Sequence, residues 1–360
     1  MTSIFLLLAA FLFGQKPVIY IDPSYIGEST GTIEKPFKSV RVIQSGVDYL
    51  QKCGTTFEGS YTVGSVTNVT FSSYGSGQKP IIRCGSGQEA IRFNSLASGI
   101  IIQGLEITSA NKSGGALIHF RGHGTNNTII GNAIHGGTYC IRIRSQVAGQ
   151  VYNSGLEIMH NIIYDSWDDL IYGYRVRNLT IDQNIIYNAN IQWKAPETPN
   201  NSAPGDAIQL IGCEYVAITD NDIFRSVYHG PEFNTPANCI ETGNKFCIIF
   251  TGSKDIPKNT IKISGNRFVM PKNTTWKGAA IYFGDLNSGC VTDFDFNLVI
   301  GDLAAIKYTT LGTFKSSGNT YKNCSIGIEV QQSAAKGFSY SDDFIGMPES
   351  MYTSQNVKRQ

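Results

Sequence analysis

The sequence predicts an all-β solenoid, and three observations carry that expectation. A short motif recurs along most of the chain: two or three apolar or Thr positions, an Asn, then an apolar pair. It reads TIIGNAI, EIMHNII, TIDQNII, AITDNDI, KISGNRF, DFDFNLV and FKSSGNTY, with asparagines 132, 161, 184, 221, 266, 297 and 319. A second apolar segment accompanies these copies, as LIHF, CIRI, LIYG, AIQL, CIIF, AIYF, AIKY and GIEV. The third observation is composition: 38 glycines and only 16% charged residues, against roughly 25% in an average soluble domain. Self-similarity at a shortest spacing of 22 residues, in β-prone segments split by Gly and Asn, means stacked coils. Helical repeats would show a 3.6-residue period, which these segments lack.

Taken in chain order, residues 1–15 hold the apolar run Ile4–Phe13, too short to span a bilayer. It fits the apolar region of a secretory signal cleaved near Gly14 or Gln15, although no Lys or Arg precedes it. A buried element of the mature fold is the other reading. Export would permit disulfides among the eight cysteines. Cys53 with Cys84, and Cys239 with Cys213 or Cys247, are the pairs considered; connectivity is not readable. Residues 38–52, KSVRVIQSGVDYLQK, have helical spacing and predict a helix capping the first coil. An open solenoid end exposes a sheet edge and needs a cover. The solenoid is expected over 16–340, with 341–360 as a C-terminal cap or flexible tail. The net charge of +1 supplies no global field for nucleic acid or anionic membrane, and no later segment is apolar enough to span a bilayer.

The opening VIYIDPSYIGESTGTIEKPFKSV and the repeated Asn resemble the right-handed parallel β-helix family of pectate lyases and related polysaccharide-active proteins. The resemblance covers about residues 17–340 and implies an internal ladder of side-chain amides bonded from coil to coil. A buried Asn at each corner must be satisfied, and identical neighbours above and below offer complementary donors and acceptors.

Insertions in a solenoid map to one face, often the binding face. From ladder Asn to the next strand Ile the minimum gap is 9, but Asn184 to Ile208 is 24 and Asn221 to Ile248 is 27. Loops therefore rise around the middle coils and build a groove. Strand residues alternate in and out. With Ile118, Ile141, Ile171, Ile208, Ile248 and Ile281 inward, the outward row is His119, Arg142, Tyr172, Gln209, Ile249 and Tyr282. Arg121, Arg144 and Tyr174 fall two residues further on, and Asp169 and Asp206 two residues before the Ile. Trp193, His229 and Trp276 sit where loops could overhang the groove.

Asp169 and Asp206 should lie on adjacent rungs, about 5 Å apart at the backbone. Carboxylates that close force one pKa up or recruit a cation. With Asp168 they form an oxygen set suited to Ca²⁺; a solvated turn is the bland alternative. Arg pairs bidentately with carboxylate or sulfate, so an Arg-lined groove with central carboxylates and aromatic walls suits an acidic polysaccharide. Catalytic candidates are Arg142, Arg144, His119, Tyr172 and Asp206. Substrate-binding candidates are Arg121, Tyr174, Gln209, Trp193, His229 and Trp276.

Among β-helix polysaccharide enzymes the resemblance implies β-elimination of a uronate-containing chain, and DSWDDLIYG is similar to an acidic calcium-binding cluster of one pectate-lyase family. No Lys occupies a matching outward position to act as that family's base. GDAIQLIG looks loosely like the Gly-Asp-Asp segment of polygalacturonases, but Ala207 replaces the second Asp. Hydrolysis, C5-epimerisation and non-catalytic glycan binding stay open.

Overall fold

Each coil turns a corner at its asparagine. Gly124–Ile130 leads to Asn132, Ala133–His135 leaves it, and Gly137–Arg144 forms a third side. The next coil repeats this with Asn153–Met159, Asn161, Ile162–Tyr164 and Ile171–Tyr174. Corresponding strands pair in parallel from coil to coil. The computed structural model describes residues 16–110, 114–144, 153–189, 191–193, 205–224, 239–241, 246–252, 258–270, 279–301, 304–330, 338–346 and 358–359. Ten third-side strands, from Tyr61–Val63 to Ile326–Val330, form one parallel sheet, and the other sides join a larger parallel sheet.

The core lies between these sheets. Ile91, Ile118, Ile141, Ile171, Ile208, Ile248, Ile281 and Ile306 stack in register and are fully buried. Each such side chain stabilises the fold by about 1.5–3 kcal/mol. The amide ladder runs beside them. From Asn132 to Asn319, each Nδ2 donates to the next Oδ1 at 2.9–3.0 Å. Each backbone N–H in the series donates to the same oxygen. The residue before each ladder Asn takes a left-handed φ: Gly131, Gly265 and Gly318 do so without penalty, while His160, Gln183, Asp220 and Phe296 hold φ of 52–55°. That conformation costs a side-chain-bearing residue roughly 1–2 kcal/mol, so the ladder and the ladder strands must impose it.

The expected N-terminal helix does not form, and no helix occurs among the described residues. Lys38–Gly46 is irregular, and Asp48–Lys52 is a strand lying between Val18–Ile21 and Thr70–Tyr74. Three β-branched residues in a short run, Val40, Val42 and Ile43, weaken a helix, and Gly46 breaks it with φ +72°. The strand also buries Tyr49 against Phe71, ring centroids 5.8 Å apart. The cover of the first coil is a loop instead: Tyr20 N–H donates to Gly31 O, Phe37 N–H to Tyr20 O, and Asp22 N–H to Phe37 O. These bonds satisfy the outer edge of Val18–Ile21.

At the other end the coils continue beyond 340, because Phe338–Ile345 is a strand paired with Thr313–Lys322. Lys358–Arg359 adds a short parallel pair with Ser339–Tyr340. Cys53 and Cys84, one of the considered pairs, are free thiols, as is Cys213; the side chain of Cys239, on which the other considered pairing depends, lies outside the described residues. Residues 1–15, the expected signal, lie outside the described residues.

Candidate active site

The outer face of the ten-stranded sheet carries the expected row in the expected register. Thr62, Arg92, His119, Arg142, Tyr172, Gln209, Ile249 and Tyr282 are partners on successive rungs. Arg144 lies beside Tyr174, and Tyr174 beside Ile211. Asp169 and Asp206 are on adjacent rungs, and Asp206 N–H donates to Asp169 Oδ1 at 2.7 Å.

Pointing outward does not mean being exposed. His119, Asp169 and Asp206 are each only 2% accessible. For His119 the cover comes from another segment, which alternation within one strand cannot reveal. Over His119 lies Glu89, whose Oε1 is 2.6 Å from His119 Nδ1 and 3.0 Å from Arg121 Nη2. Glu89 Oε2 is 3.4 Å from Arg92 Nη1. A carboxylate can only accept, so the short contact assigns the imidazole proton to Nδ1. Burial lowers the His119 pKa, aided by Arg142 and Arg121 and opposed by Glu89. At neutral pH this is a neutral imidazole held by a charged carboxylate. Burial opposes the charge on Glu89, but His119 and Arg121 outweigh it and keep the carboxyl below its usual range. His119 Nε2 is buried and meets no hydrogen-bond partner among the described residues. His119 therefore lies beneath the surface, held by Glu89, and is not exposed as its column led one to expect.

Arg142 occupies the centre. Its guanidinium carbon lies 4.6 Å from the Tyr139 ring centroid and 5.6 Å from that of Tyr172, and the two rings meet edge-on at 5.7 Å. Arg121 is paired with Glu89, whereas Arg142 has no ion-pair partner among the described residues and its buried Nε has no acceptor. Arg144 is exposed on the same strand.

The acidic end begins one rung on. Tyr139 O–H donates to Asp168 Oδ2 at 2.6 Å. Burial, then the charges of Asp168 and Asp206, push the Asp169 carboxyl well above its ordinary range, against the Asp206 amide and Arg142. Burial raises Asp168 as well. Among the described residues no three His, Cys, Asp or Glu side chains group as a cation site. Asp169 Oδ1 and Asp168 Oδ2 each accept a hydrogen bond within the protein, and the Asp168, Asp169 and Asp206 set expected to hold Ca²⁺ is not grouped as a cage.

A raised carboxyl pKa has a definite sign in stability. The folded state holds its proton more tightly than the unfolded chain, so Asp169 opposes folding increasingly as pH rises from about 4, its unfolded value, through its folded one. Asp169→Asn keeps the Oδ1 acceptor and removes the charge. It should raise the melting temperature at pH 8 and change it little at pH 3.5; melts of both proteins across that range check this. An equal shift at both pH values would mean that Asp169 does not titrate as described.

Between the coils of Arg92 and Arg142 the face holds a cleft of about 430 Å³, lined in part by Glu89, Arg92, Arg121, Tyr139 and Arg142. Sequence reasoning did not single out Glu89 and Arg92. The signal was present: AIRF at 90–93 has the form of the other third-side strands. Of the overhanging candidates, Trp193 lies in the strand Ile191–Trp193, antiparallel to Cys239–Glu241, which ties the two long insertions together. His229 and Trp276 lie outside the described residues.

No protein-family model and no curated protein matches the sequence. Solved structures do match in shape. The Agl-KA catalytic domain superposes with TM-score 0.52 at 13% identity, over 88% of this chain and 63% of that one. The A-module of the Azotobacter vinelandii mannuronan C-5 epimerase AlgE4 gives 0.50 at 12%, over 87% and 91%. The DFA-IIIase of Arthrobacter chlorophenolicus A6 in complex with GF2 gives 0.50 at 11%, over 89% and 82%. The chain has the right-handed parallel β-helix fold. At these identities the likeness carries the fold alone; the chemistry of this β-helix must be argued from its own side chains. What they offer is a guanidinium cradled by two phenols, one rung from a carboxyl whose pKa burial pushes well above the ordinary carboxylate range.

Proposed function

We propose that the protein is a secreted enzyme that processes an acidic, uronate-containing polysaccharide on the outer face of the ten-stranded sheet, by β-elimination. One observation carries this reading: Arg142, packed between Tyr139 and Tyr172, makes no ion pair among the described residues, and its buried Nε meets no acceptor there. A cation held in place without an ion pair favours an anionic group brought by a ligand. Arg142 and Arg144 would take the uronate carboxylate and spread the charge that develops when C5 loses its proton, the electrostatic effect expected to dominate such a reaction. Burial raises the Tyr172 pKa, so its phenol is protonated at neutral pH and can donate to the departing O4, with Asp206 as proton acceptor. Neighbours in fold whose names include a mannuronan epimerase support the substrate class, since epimerisation and elimination share the C5 proton abstraction.

Hydrolysis is the second reading, favoured by the Asp169–Asp206 pair. Adjacent carboxyls with one pKa pushed up are the arrangement of an acid and its partner. Incubation with pectate, alginate and glycosaminoglycans separates the readings. Elimination gives unsaturated ends and a rise in ultraviolet absorbance; hydrolysis gives reducing ends without it. Retained binding without either product would remove the enzyme from the proposal.

A further inference from the structure

The cleft between the coils of Arg92 and Arg142 holds more positive charge than the reaction at Arg142 needs. Three guanidinium groups, Arg92, Arg121 and Arg142, line it with a single carboxylate, Glu89. His119 beneath them is neutral at pH 7, by the burial already described. Glu89 is itself mostly buried and touches Arg92, Arg121 and His119 at 3.4, 3.0 and 2.6 Å. It fixes two guanidinium groups in place but neutralises only one. Two positive charges therefore remain, centred on rungs two apart in the register from Arg92 through His119 to Arg142. At about 4.8 Å per rung that is roughly 10 Å. The buried Nε atoms of Arg92 and Arg142 both lack acceptors among the described residues. Desolvated donors of this kind are costly unless something fills them. A volume of about 430 Å³ is within the range of small-ligand sites.

We propose that the Arg92–Arg121 half of the cleft is a second anion subsite, holding a carboxylate or sulfate ester on a sugar near the one bound at Arg142. This rests on the reading of Arg142 as the uronate anchor and deepens it. The preferred ligand carries at least two anionic groups along one chain, one for each uncompensated charge. Glu89 and His119 do not touch the ligand's charge; they hold Arg92 and Arg121 facing it.

Calorimetric titration of the full chain tests this without relying on turnover. The probes are trigalacturonate, a chondroitin sulfate tetrasaccharide, galacturonate monomer and neutral maltotriose. Arg92→Gln should weaken trigalacturonate about tenfold or more, as loss of a charge-assisted contact does. It should leave the singly charged monomer within about twofold. Arg121→Gln tests the same subsite should Arg92→Gln melt early. Unchanged affinity for both trigalacturonate and the chondroitin tetrasaccharide in both variants, or maltotriose binding as tightly as trigalacturonate, overturns the subsite. Arg92 dependence confined to the chondroitin probe assigns the subsite to sulfate ester. Arg92-dependent binding without unsaturated products keeps the subsite and removes the elimination reading. Unsaturated products with an Arg92-independent KM remove the subsite and keep the elimination.

Discussion

Arg142→Ala lowers kcat/KM on the uronate substrate by about 10²- to 10³-fold, the loss typical of removing one preorganised electrostatic group, while the protein stays folded. The two halves of that expectation have separate causes. Activity falls because Arg142 is the one guanidinium in the cleft without an ion-pair partner among the described residues. Stability holds because the truncation strands no partner: no ion pair breaks, and what is lost is stacking on Tyr139 and Tyr172, about 0.5–1 kcal/mol per contact at a partly exposed site. The loss also withdraws a positive charge that restrains Asp168 and Asp169, so their pKa values rise further and the acid limb of the pH profile moves upward. Arg142→Lys keeps a charge but not the planar fork, and should fall between wild type and Ala. Kinetics and thermal melts of the three proteins decide the matter. Wild-type kcat/KM in Arg142→Ala would leave the site without its anchor.

The register of this face was legible because a solenoid converts sequence spacing into position. Once Ile118, Ile141, Ile171 and Ile208 are aligned, His119, Arg142, Tyr172 and Gln209 must follow as rung partners, and they do. The seven asparagines were legible for the same reason, and all are buried. What one strand's alternation cannot reveal is cover contributed by another segment. His119 points outward yet lies beneath Glu89, which arrives from a turn about 30 residues earlier. The same limit hid Tyr139 as the hydrogen-bond partner of Asp168. The capping helix failed differently. Its spacing was helical, but the decision fell to tertiary pairing: Asp48–Lys52 gains ladder bonds on two sides as a strand, which an isolated helix of that length could not match. Ladder termination was readable only in retrospect. Asp342, in SYSDDFI, takes the last position, accepting from Asn319 N and Nδ2 at 3.0 and 2.8 Å.

That terminal aspartate explains why substitution inside the ladder should be severe. Asn221 accepts at one oxygen from Asn184 N and Nδ2, at 2.8 and 2.9 Å. Its Nδ2 donates to Ile181 O, Thr219 O and Asn266 Oδ1 at 2.8–2.9 Å. In Asn221→Ala the Asn184 amide loses its acceptor and Ile181 O loses the side-chain donor, in a site only 1% accessible. Each buried polar group left unsatisfied costs about 1–3 kcal/mol, so the coil should lose about 3–4 kcal/mol, read as a lower denaturation midpoint with an unchanged slope. Asn221→Asp is the sharper test. It keeps the acceptor but sets a carboxylate against three oxygens, so it should be worse than Ala at pH 7 and recover as acid protonates it. The sign follows from a folded-state pKa raised above the unfolded one: the penalty is absent below about pH 4 and grows as pH rises. Asp342 escapes the conflict because it only accepts along the ladder; its raised pKa, caused by burial, shows the same pressure in milder form. A midpoint for Asn221→Asp equal to wild type at pH 7 would mean that the amide hydrogens, and not merely the oxygens, are dispensable to the stacking of the coils.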